Sequence, residues 1–231
     1  MKSFIKLNHA PFNHSINKLI LSLALIHLIL LKEYMINAYE IFKLHDDYLS
    51  DLAWPENFNL NYQASNTIYE FIEANHFFNT KLWNEEDLAR RQKVSDTEIA
   101  NNKRAIDKFN QARNDYIEKI DDFIINRIPL LNEMLGKQNS ETIGAIIDRS
   151  SILSLKIFHM FLQTKREDVE LAHIKTCSQK LIILNKQRHD LGFCFDELLE
   201  DCKNGKRHFK QYKQFKMYND PNLNPQMYSE K

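Results

Sequence analysis

The chain has 231 residues, a formal net charge of zero, 27% charged residues and 43% hydrophobic residues. That length can bury a full-sized core, and the composition argues against an intrinsically disordered chain. Four glycines and five prolines are too few for the many turns of a strand-rich fold, so a few long helices are expected. Three cysteines without CxxC spacing argue against a disulfide framework or a zinc cluster and predict a reducing, cytoplasmic location.

Charge is distributed unevenly along the chain. Residues 203–231 contain seven Lys or Arg residues and two acidic residues, and residues 1–34 contain four lysines and one glutamate. Because the whole chain is neutral, the long segment between these ends is acidic. An acidic body does not resemble a dedicated nucleic-acid-binding domain, so nucleic acid is not an expected partner.

An apolar run from Leu19 to Leu31 precedes the main body of the chain. It is too short for a membrane-spanning helix, which needs about 20 such residues. Three interpretations stay open: an additional core-packing helix, a membrane anchor or signal segment, and translated upstream sequence ahead of a true start at Met35. Residues 1–34 are therefore treated as an extra segment, and membrane contact is expected only if they belong to the native protein.

Hydrophobic periodicity and turn residues divide the rest of the chain into helices. The predicted helices span residues 35–53, 61–91, 95–135, 141–164 and 167–204. Ser95 and Glu98 predict a capping box at the start of the third helix, Pro129 a kink within it, and Ser140 the cap of the fourth. The fold class is therefore all-α: an antiparallel up-and-down bundle of about five long helices over residues 35–205, with an irregular C-terminal arm over 206–231.

The second and third predicted helices carry polar side chains on faces that should point into the bundle. At 100° per residue, Asn79, Glu86 and Arg90 project close to the centre of the apolar stripe of the second helix, and Arg113 projects into that of the third. We call this strip the polar seam. Its candidate ligand-binding residues are Asn79, Trp83, Glu86, Asp87, Arg90, Lys103, Asp107, Asn110, Arg113, Asn114 and Glu118.

Two interpretations of the polar seam stay open. A buried arginine needs an acidic partner, so the seam could be an internal salt-bridge network in which Glu86 or Asp87 pairs with Arg113. The same residue types could instead line a pocket for an anionic or phosphorylated small molecule, because bundle cores are common ligand sites. No GxGxxG, Walker A, GxSxG or HExxH motif is present, which argues against the usual nucleotide-binding, hydrolase and zinc-protease functions.

The polar seam also carries a family resemblance. Residues 79–91 read NTKLWNEEDLARR, and residues 103–118 read KRAIDKFNQARNDYIE. This two-part motif resembles an uncharacterised bacterial family of helical proteins, domain-of-unknown-function family 4254, and residues 214–221, QFKMYNDP, are similar to the same pattern. The resemblance implies a helical protein of about two hundred residues, matching 35–231, and it implies no particular activity.

Two Glu-x-x-His pairs, each with a glutamate on the preceding predicted helix, permit a di-iron carboxylate site as an alternative. The pairs are Glu73 with His76 and Glu170 with His173, and the additional glutamates are Glu40 and Glu141. The helical phase disfavours this site, because Glu73 and His76 project away from the centre of the apolar stripe of their helix.

Two acidic pairs at helical spacing permit a second alternative, a magnesium-dependent nucleotide pyrophosphatase. Glu70 with Glu73 and Glu118 with Asp121 could hold the metal ion while nearby arginines and lysines contact the phosphates. Solvated charges on the outer helix faces explain the same pattern more simply.

The C-terminal arm interleaves basic and aromatic residues. These residues are Lys203, Lys206, Arg207, Phe209, Lys210, Tyr212, Lys213, Phe215, Lys216 and Tyr218. Such a pattern can follow single-stranded nucleic acid, but docking of the arm onto the acidic body is the favoured interpretation.

The sequence therefore predicts a cytoplasmic helical bundle of unknown function, with the polar seam as a candidate site for an anionic or phosphorylated small molecule. It assigns no catalytic residue, metal or cofactor, and it does not decide whether the protein is an enzyme. A non-enzymatic interaction protein with a purely structural seam stays open, as does a homo-oligomer.

Overall fold

The structure, a computed structural model of the chain, describes residues 36–59, 67–213, 217 and 220–229. The predictions for residues 1–34, and those for Phe215, Lys216 and Tyr218 in the arm, lie outside this part of the chain. The described residues from Asn37 onward belong to one compact unit.

Five long helices and two single-turn helices account for most of the described residues. In chain order they are α1 (Ala38–Ser50), α2 (Ile68–Ala89), α3 (Asp96–Ile125), α4 (Pro129–Asn132), α5 (Ile143–Thr164), α6 (Leu171–Lys203) and α7 (Pro225–Tyr228). The five predicted helices correspond to α1, α2, α3, α5 and α6, and the predicted all-α bundle is confirmed.

Local sequence sets both ends of α3. Ser95 and Glu98 form the predicted capping box, which satisfies free N–H groups at the start of the helix. The predicted extension of this helix to Leu135 is wrong, because α3 ends at Ile125. Pro129 has no N–H to continue the helical hydrogen bonds, and it instead starts the separate turn α4.

The start of α5 lies very close to α3. Thr142, rather than the predicted Ser140, caps α5 with its side chain. The Gly144 N–H donates a hydrogen bond of 2.7 Å to Asp121 Oδ1. A Cβ at Gly144 would lie 2.5 Å from the backbone oxygen of Ile117, so the close approach of the two helices requires glycine at this position.

Helices α2 and α3 form an antiparallel pair. Phe71 lies beside Phe123, with ring centroids 6.0 Å apart, near the start of α2 and the end of α3. Near the other end of the pair, the Asn102 amide donates a 2.7 Å hydrogen bond to Glu85. The loop between the two helices, residues 90–95, is short, and short loops join neighbouring helices in antiparallel orientation.

Helix α1 runs in the same direction as α2, so the predicted antiparallel up-and-down order does not hold for this pair. The Tyr69 hydroxyl donates a 2.8 Å hydrogen bond to Glu40 near the start of both helices. Further along both, His45 stacks on His76 with ring centroids 4.4 Å apart. Helix α2 therefore starts at the end of the bundle at which α1 began.

Two three-residue strands join the end of the bundle, although the sequence predicted no strand. β1 (Lys137–Asn139) pairs in parallel with β2 (Arg207–Phe209). Gly136 and Gly205, near the starts of the two strands, have positive φ angles of 72° and 66°. A Cβ at Gly136 would lie 2.1 Å from the backbone oxygen of Lys206, so this crossing also depends on glycine.

The interior of the described part contains many polar side chains beside the usual isoleucines and leucines. Those that are buried are His45, Asn75, His76, Asn79, Thr80, Asn114, Asp121, Asp148, Ser150, Ser151, Ser154 and His208. Most of them lie where α2, α3 and α5 meet, which makes that junction the natural place to look for function. None of the helices in the described residues is long and apolar enough to cross a membrane.

Candidate functional site

The inward face of α2 changes from apolar to polar along its length. Ile68 and Ile72 begin the face, and Asn75, His76 and Asn79 continue it at helical spacing. Each of the three polar residues is at most 4% exposed. The predicted inward projection of Asn79 is therefore confirmed, whereas the prediction that His76 projects away from the apolar stripe is wrong.

Asp148 of α5 lies at the centre of a buried hydrogen-bond network. Its Oδ1 accepts hydrogen bonds from the side-chain amides of Asn75 (3.0 Å) and Asn79 (2.9 Å). The Asn79 amide also donates to Ser151 Oγ at 3.1 Å. A buried carboxylate is stable when such donors replace water, so these bonds fix the position of α2 against α5. We call Asn75, His76, Asn79, Asp148 and Ser151 the sealed network.

Two stacked histidines extend from the sealed network toward α1. His76 Nδ1 lies 2.8 Å from Ser151 Oγ, whereas neither ring nitrogen of His45 has a hydrogen-bond partner among the described residues. Burial lowers the pKa of His76 to about 3. Burial, together with the nearby His76, also holds the pKa of His45 well below its ordinary value. Both rings are therefore neutral at neutral pH.

Arg113 of α3 joins the sealed network to a cavity. One terminal guanidinium nitrogen lies 3.6 Å from Asp148 Oδ2, an ion pair longer than a hydrogen bond. The other lies 3.4 Å from Asn114 Oδ1. The Arg113 Nε is buried and has no hydrogen-bond partner in the described part of the chain. Asp148 and Asn114 thus restrict the position of the guanidinium group, which still has an N–H donor for another acceptor.

The predicted pairing of Arg113 with Glu86 or Asp87 is wrong. Asp148 of α5 supplies the carboxylate instead. In the antiparallel α2–α3 pair, Arg113 is level with the middle of α2, more than one turn away from Glu86. The acidic partner of Arg113 therefore lies on α5, whereas the sequence analysis placed it on the neighbouring helix α2.

A cavity of about 330 Å³ lies between α2, α3 and α5, in front of Arg113. We call it the seam cavity, and it is lined by Asn79, Leu82, Trp83, Glu86, Lys103, Ile106, Asp107, Asn110, Arg113, Ile152 and Leu155. Seven of the eleven predicted ligand-binding residues are in this lining, so the polar seam and the cavity largely coincide. Its volume is at the lower end of the range for small-molecule sites, about 300–1,000 Å³.

The charged residues at the mouth of the seam cavity are paired with one another. Lys103 Nζ lies 2.8 Å from Asp107, and Arg90 lies 2.8 Å from Glu86. All four side chains are at least 44% exposed, whereas the Arg113 side chain is 23% exposed. Water screens the two outer pairs, so the least screened positive charge in the lining is the one on Arg113.

Trp83 separates the seam cavity from a second cavity on the other side of α2. Its indole stacks on His159, with ring centroids 4.5 Å apart and nearly parallel planes. This second cavity measures about 380 Å³, and Asp87, Lys156 and His159 contribute to its lining. Asp87 therefore lines this second cavity together with Trp83, and it does not line the seam cavity.

Three further predicted residues lie outside the lining of the seam cavity. Arg90 is exposed rather than inward-facing, because it is the C-cap residue beyond the last turn of α2. Asn114 is buried behind Arg113. Glu118 accepts a 2.8 Å hydrogen bond from Lys213, and its backbone oxygen accepts one from Gln211. This part of the C-terminal arm therefore docks on α3, as the favoured interpretation expected.

The sequence model of the family described as "Protein of unknown function (DUF4254)" matches residues 69–211. The chain belongs to this family. The matched DUF4254 region begins in the first turn of α2 and ends just after β2, so it contains the sealed network and the seam cavity and leaves out α1. No curated protein and no solved structure matches the chain.

Within the described residues, the DUF4254 region and its flanks do not bring together three His, Cys, Asp or Glu side chains that could hold a metal ion. His76 is engaged with Ser151, and Glu170 lies at the exposed start of α6. Asp121 accepts the Gly144 N–H, and burial raises its pKa to about 6. The residues suggested for a di-iron site and for a magnesium site are therefore dispersed or already engaged.

Sequence reasoning missed Asp148, Ser151 and His45 as parts of this site. The available signal was in α5, whose apolar pattern is interrupted by Asp148, Ser150 and Ser151 in its most buried turns. A carboxylate in the most enclosed helix of a bundle needs a partner. Searching for that partner would have led to Arg113.

Proposed function

We propose that this protein binds a small molecule with an anionic group in the seam cavity, and that Arg113 contacts that group. The observation that carries the proposal is the state of the Arg113 guanidinium. It lines the cavity, its two contacts to protein acceptors are 3.6 and 3.4 Å long, and its Nε has no partner in the described residues. Arginine binds carboxylate and phosphate groups through two parallel N–H bonds, which suits this unused capacity.

The surroundings of Arg113 support binding rather than a purely structural role. Asp148 already has two amide donors, so its charge does not depend on the guanidinium alone. Asn114 and Asp148 still restrict where the guanidinium can lie. A donor fixed in advance loses little conformational entropy when a ligand arrives, which favours tight binding.

The rest of the lining indicates what else the ligand carries. Leu82, Ile106, Ile152 and Leu155 provide apolar walls, which would contact a carbon skeleton. Glu86 and Asp107 stand at the more exposed mouth, where hydroxyl or amino groups of the ligand could donate to them. The lining therefore suits a small polar metabolite whose anionic end is the deeper one.

Equilibrium dialysis against a defined mixture of small molecules tests the proposal. The mixture contains phosphate monoesters, carboxylates, neutral sugars and amines, and mass spectrometry measures which compounds the protein retains. We expect the wild-type protein to retain one or more of the anionic compounds. Arg113→Met should bind them at least about tenfold more weakly, which corresponds to about 1.4 kcal/mol.

Arg104→Met is the matched control, because Arg104 is an exposed arginine on the same helix that does not line the cavity. It should retain the same compounds as the wild-type protein. Retention of no compound by the wild-type protein, or equal retention by Arg113→Met, contradicts the proposal.

A further inference from the structure

Trp83 gives the seam cavity a flat aromatic wall. It is the only aromatic side chain among the described residues that line this cavity. The indole Nε1 is buried and has no hydrogen-bond partner in the described part of the chain. Trp83 therefore offers the cavity the carbon surface of its ring and not its N–H group. A buried N–H group without an acceptor is unfavourable, and an aliphatic side chain could form an apolar wall without one.

Two further rings restrict the orientation of the Trp83 indole. His159 stacks on it with the two ring planes within 5° of parallel. Phe158 packs against His159 in a T-shaped arrangement, with ring centroids 5.4 Å apart. Burial lowers the pKa of His159 below its ordinary value, so this ring is neutral at neutral pH. An indole fixed in this way loses little conformational entropy when a ligand packs on it.

His159 covers one face of the indole and leaves the rest of the ring to the seam cavity. It contributes to the lining of the second cavity and not to that of the seam cavity. The seam cavity therefore touches Trp83 on surface that His159 does not cover, which is the opposite face and the ring edge. Aromatic rings pack favourably in both positions, offset over a face or against an edge. A planar ring in a ligand would thus find a favourable contact with Trp83 in either geometry.

We propose that the ligand of the seam cavity carries a planar unsaturated ring that packs on Trp83 while its anionic group is bound by Arg113. Both residues line the same cavity of about 330 Å³, so one small molecule can contact both. Leu82, Ile106 and Leu155 add apolar surface for the ring carbons. This inference rests on the proposed function and adds the chemical class of the ligand, an aromatic or heteroaromatic carboxylate or phosphate monoester.

Two matched pairs of acids test this class by equilibrium dialysis against the full chain, at a pH at which all four are ionised. Benzoate is compared with cyclohexanecarboxylate, and phenyl phosphate with cyclohexyl phosphate. The members of a pair share the anionic group and the number of carbon atoms, and only one of them is flat and aromatic. The aromatic member of at least one pair should bind about threefold to tenfold more tightly, the range that aromatic contacts provide. The saturated ring is no less apolar, so general hydrophobicity does not predict this order.

Substitutions assign the aromatic preference to Trp83. Trp83→Leu keeps an apolar side chain and removes the ring, so the two members of each pair should bind equally. Trp83→Phe keeps a ring and should retain a preference for the aromatic member. Phe193→Leu is the matched control, because Phe193 is an exposed aromatic residue on α6 outside the lining of the seam cavity. It should leave the wild-type preference unchanged.

The outcomes separate this inference from the proposed function. Equal binding within both pairs by the wild-type protein, or an unchanged preference in Trp83→Leu, overturns the aromatic class and leaves the binding of anions by Arg113 in place. Retention of other anionic compounds from the dialysis mixture, but of neither aromatic acid, has the same meaning. Retention of no anionic compound at all overturns both this inference and the proposed function.

Discussion

The sealed network and the seam cavity are neighbours made of the same kinds of residue, yet they differ in how closely the charged group of each is held by hydrogen bonds. In the sealed network Asp148 is 6% exposed and accepts two amide hydrogen bonds. In the seam cavity the guanidinium of Arg113 keeps unused donors. The comparison teaches that a polar residue on an inward helix face has a structural role where a third helix holds it by short hydrogen bonds, as Asp148 holds Asn75 and Asn79, and is available to a ligand where such bonds are missing.

Two residues mark the boundary between these regions. Asn79 and Arg113 both line the seam cavity and both contact Asp148. The Asn79 amide is engaged by three acceptors within 3.2 Å, so it belongs to the sealed network in function. Arg113 touches Asp148 only at 3.6 Å, so it belongs to the cavity.

The largest effect should come from removing the centre of the sealed network. Asp148→Ala leaves the buried Asn75 amide without its acceptor, takes one acceptor from the Asn79 amide and removes the carboxylate beside Arg113. The free energy of unfolding should therefore fall by about 3 kcal/mol or more. Urea denaturation measures it. Glu141→Ala, which removes an exposed carboxylate near the start of α5, should cost less than about 1 kcal/mol. Similar losses of unfolding free energy in the two variants would mean that Asp148 stabilises the fold no more than an exposed carboxylate does.

The buried histidines should make the protein sensitive to acid. Below pH 6.5 the unfolded chain binds protons at His45 and His76 while the folded chain, whose pKa values are lowered, does not. Stability present at neutral pH is therefore lost as the pH falls, by at most about 1.4 kcal/mol per pH unit for each histidine. Asp121, with its pKa raised to about 6, opposes this loss below pH 6 because its folded form binds a proton first.

His45→Phe isolates the histidine effect. The substitution keeps an aromatic ring against His76 and removes one group that titrates, so stability should fall with pH less steeply, by up to about 1.4 kcal/mol per pH unit between pH 6 and 4. Denaturation midpoints at several pH values measure the slope. An unchanged slope would show that His45 does not keep its neutral form in the folded protein.

The smallest effect should come from the mouth of the seam cavity. Lys103→Met breaks an exposed ion pair with Asp107, and such pairs contribute about 0–1 kcal/mol. The free energy of unfolding should therefore change by less than about 1 kcal/mol. A loss of unfolding free energy as large as that of Asp148→Ala would contradict the proposed difference between the sealed network and the seam cavity.

The sequence predicted the helices and the location of the seam because both depend on periodicity within single helices. It did not predict that Asp148 pairs with Arg113, because that contact depends on which third helix packs on the pair. Arg90 was misplaced because an ideal helix was extended past the actual end of α2 at Ala89. The strands were missed because each is three residues long and its partner lies about seventy residues away, which leaves no local pattern.

The unfolding free energy of Arg113→Met, compared with that of the wild-type protein without ligand, tests the central claim most directly. If the guanidinium is held loosely and is available to a ligand, its loss should cost at most about 1.5 kcal/mol, because Asp148 keeps both amide hydrogen bonds. A loss of about 3 kcal/mol or more would mean that Arg113 is a structural ion-pair partner. That result would contradict the assignment of the seam cavity as a ligand site.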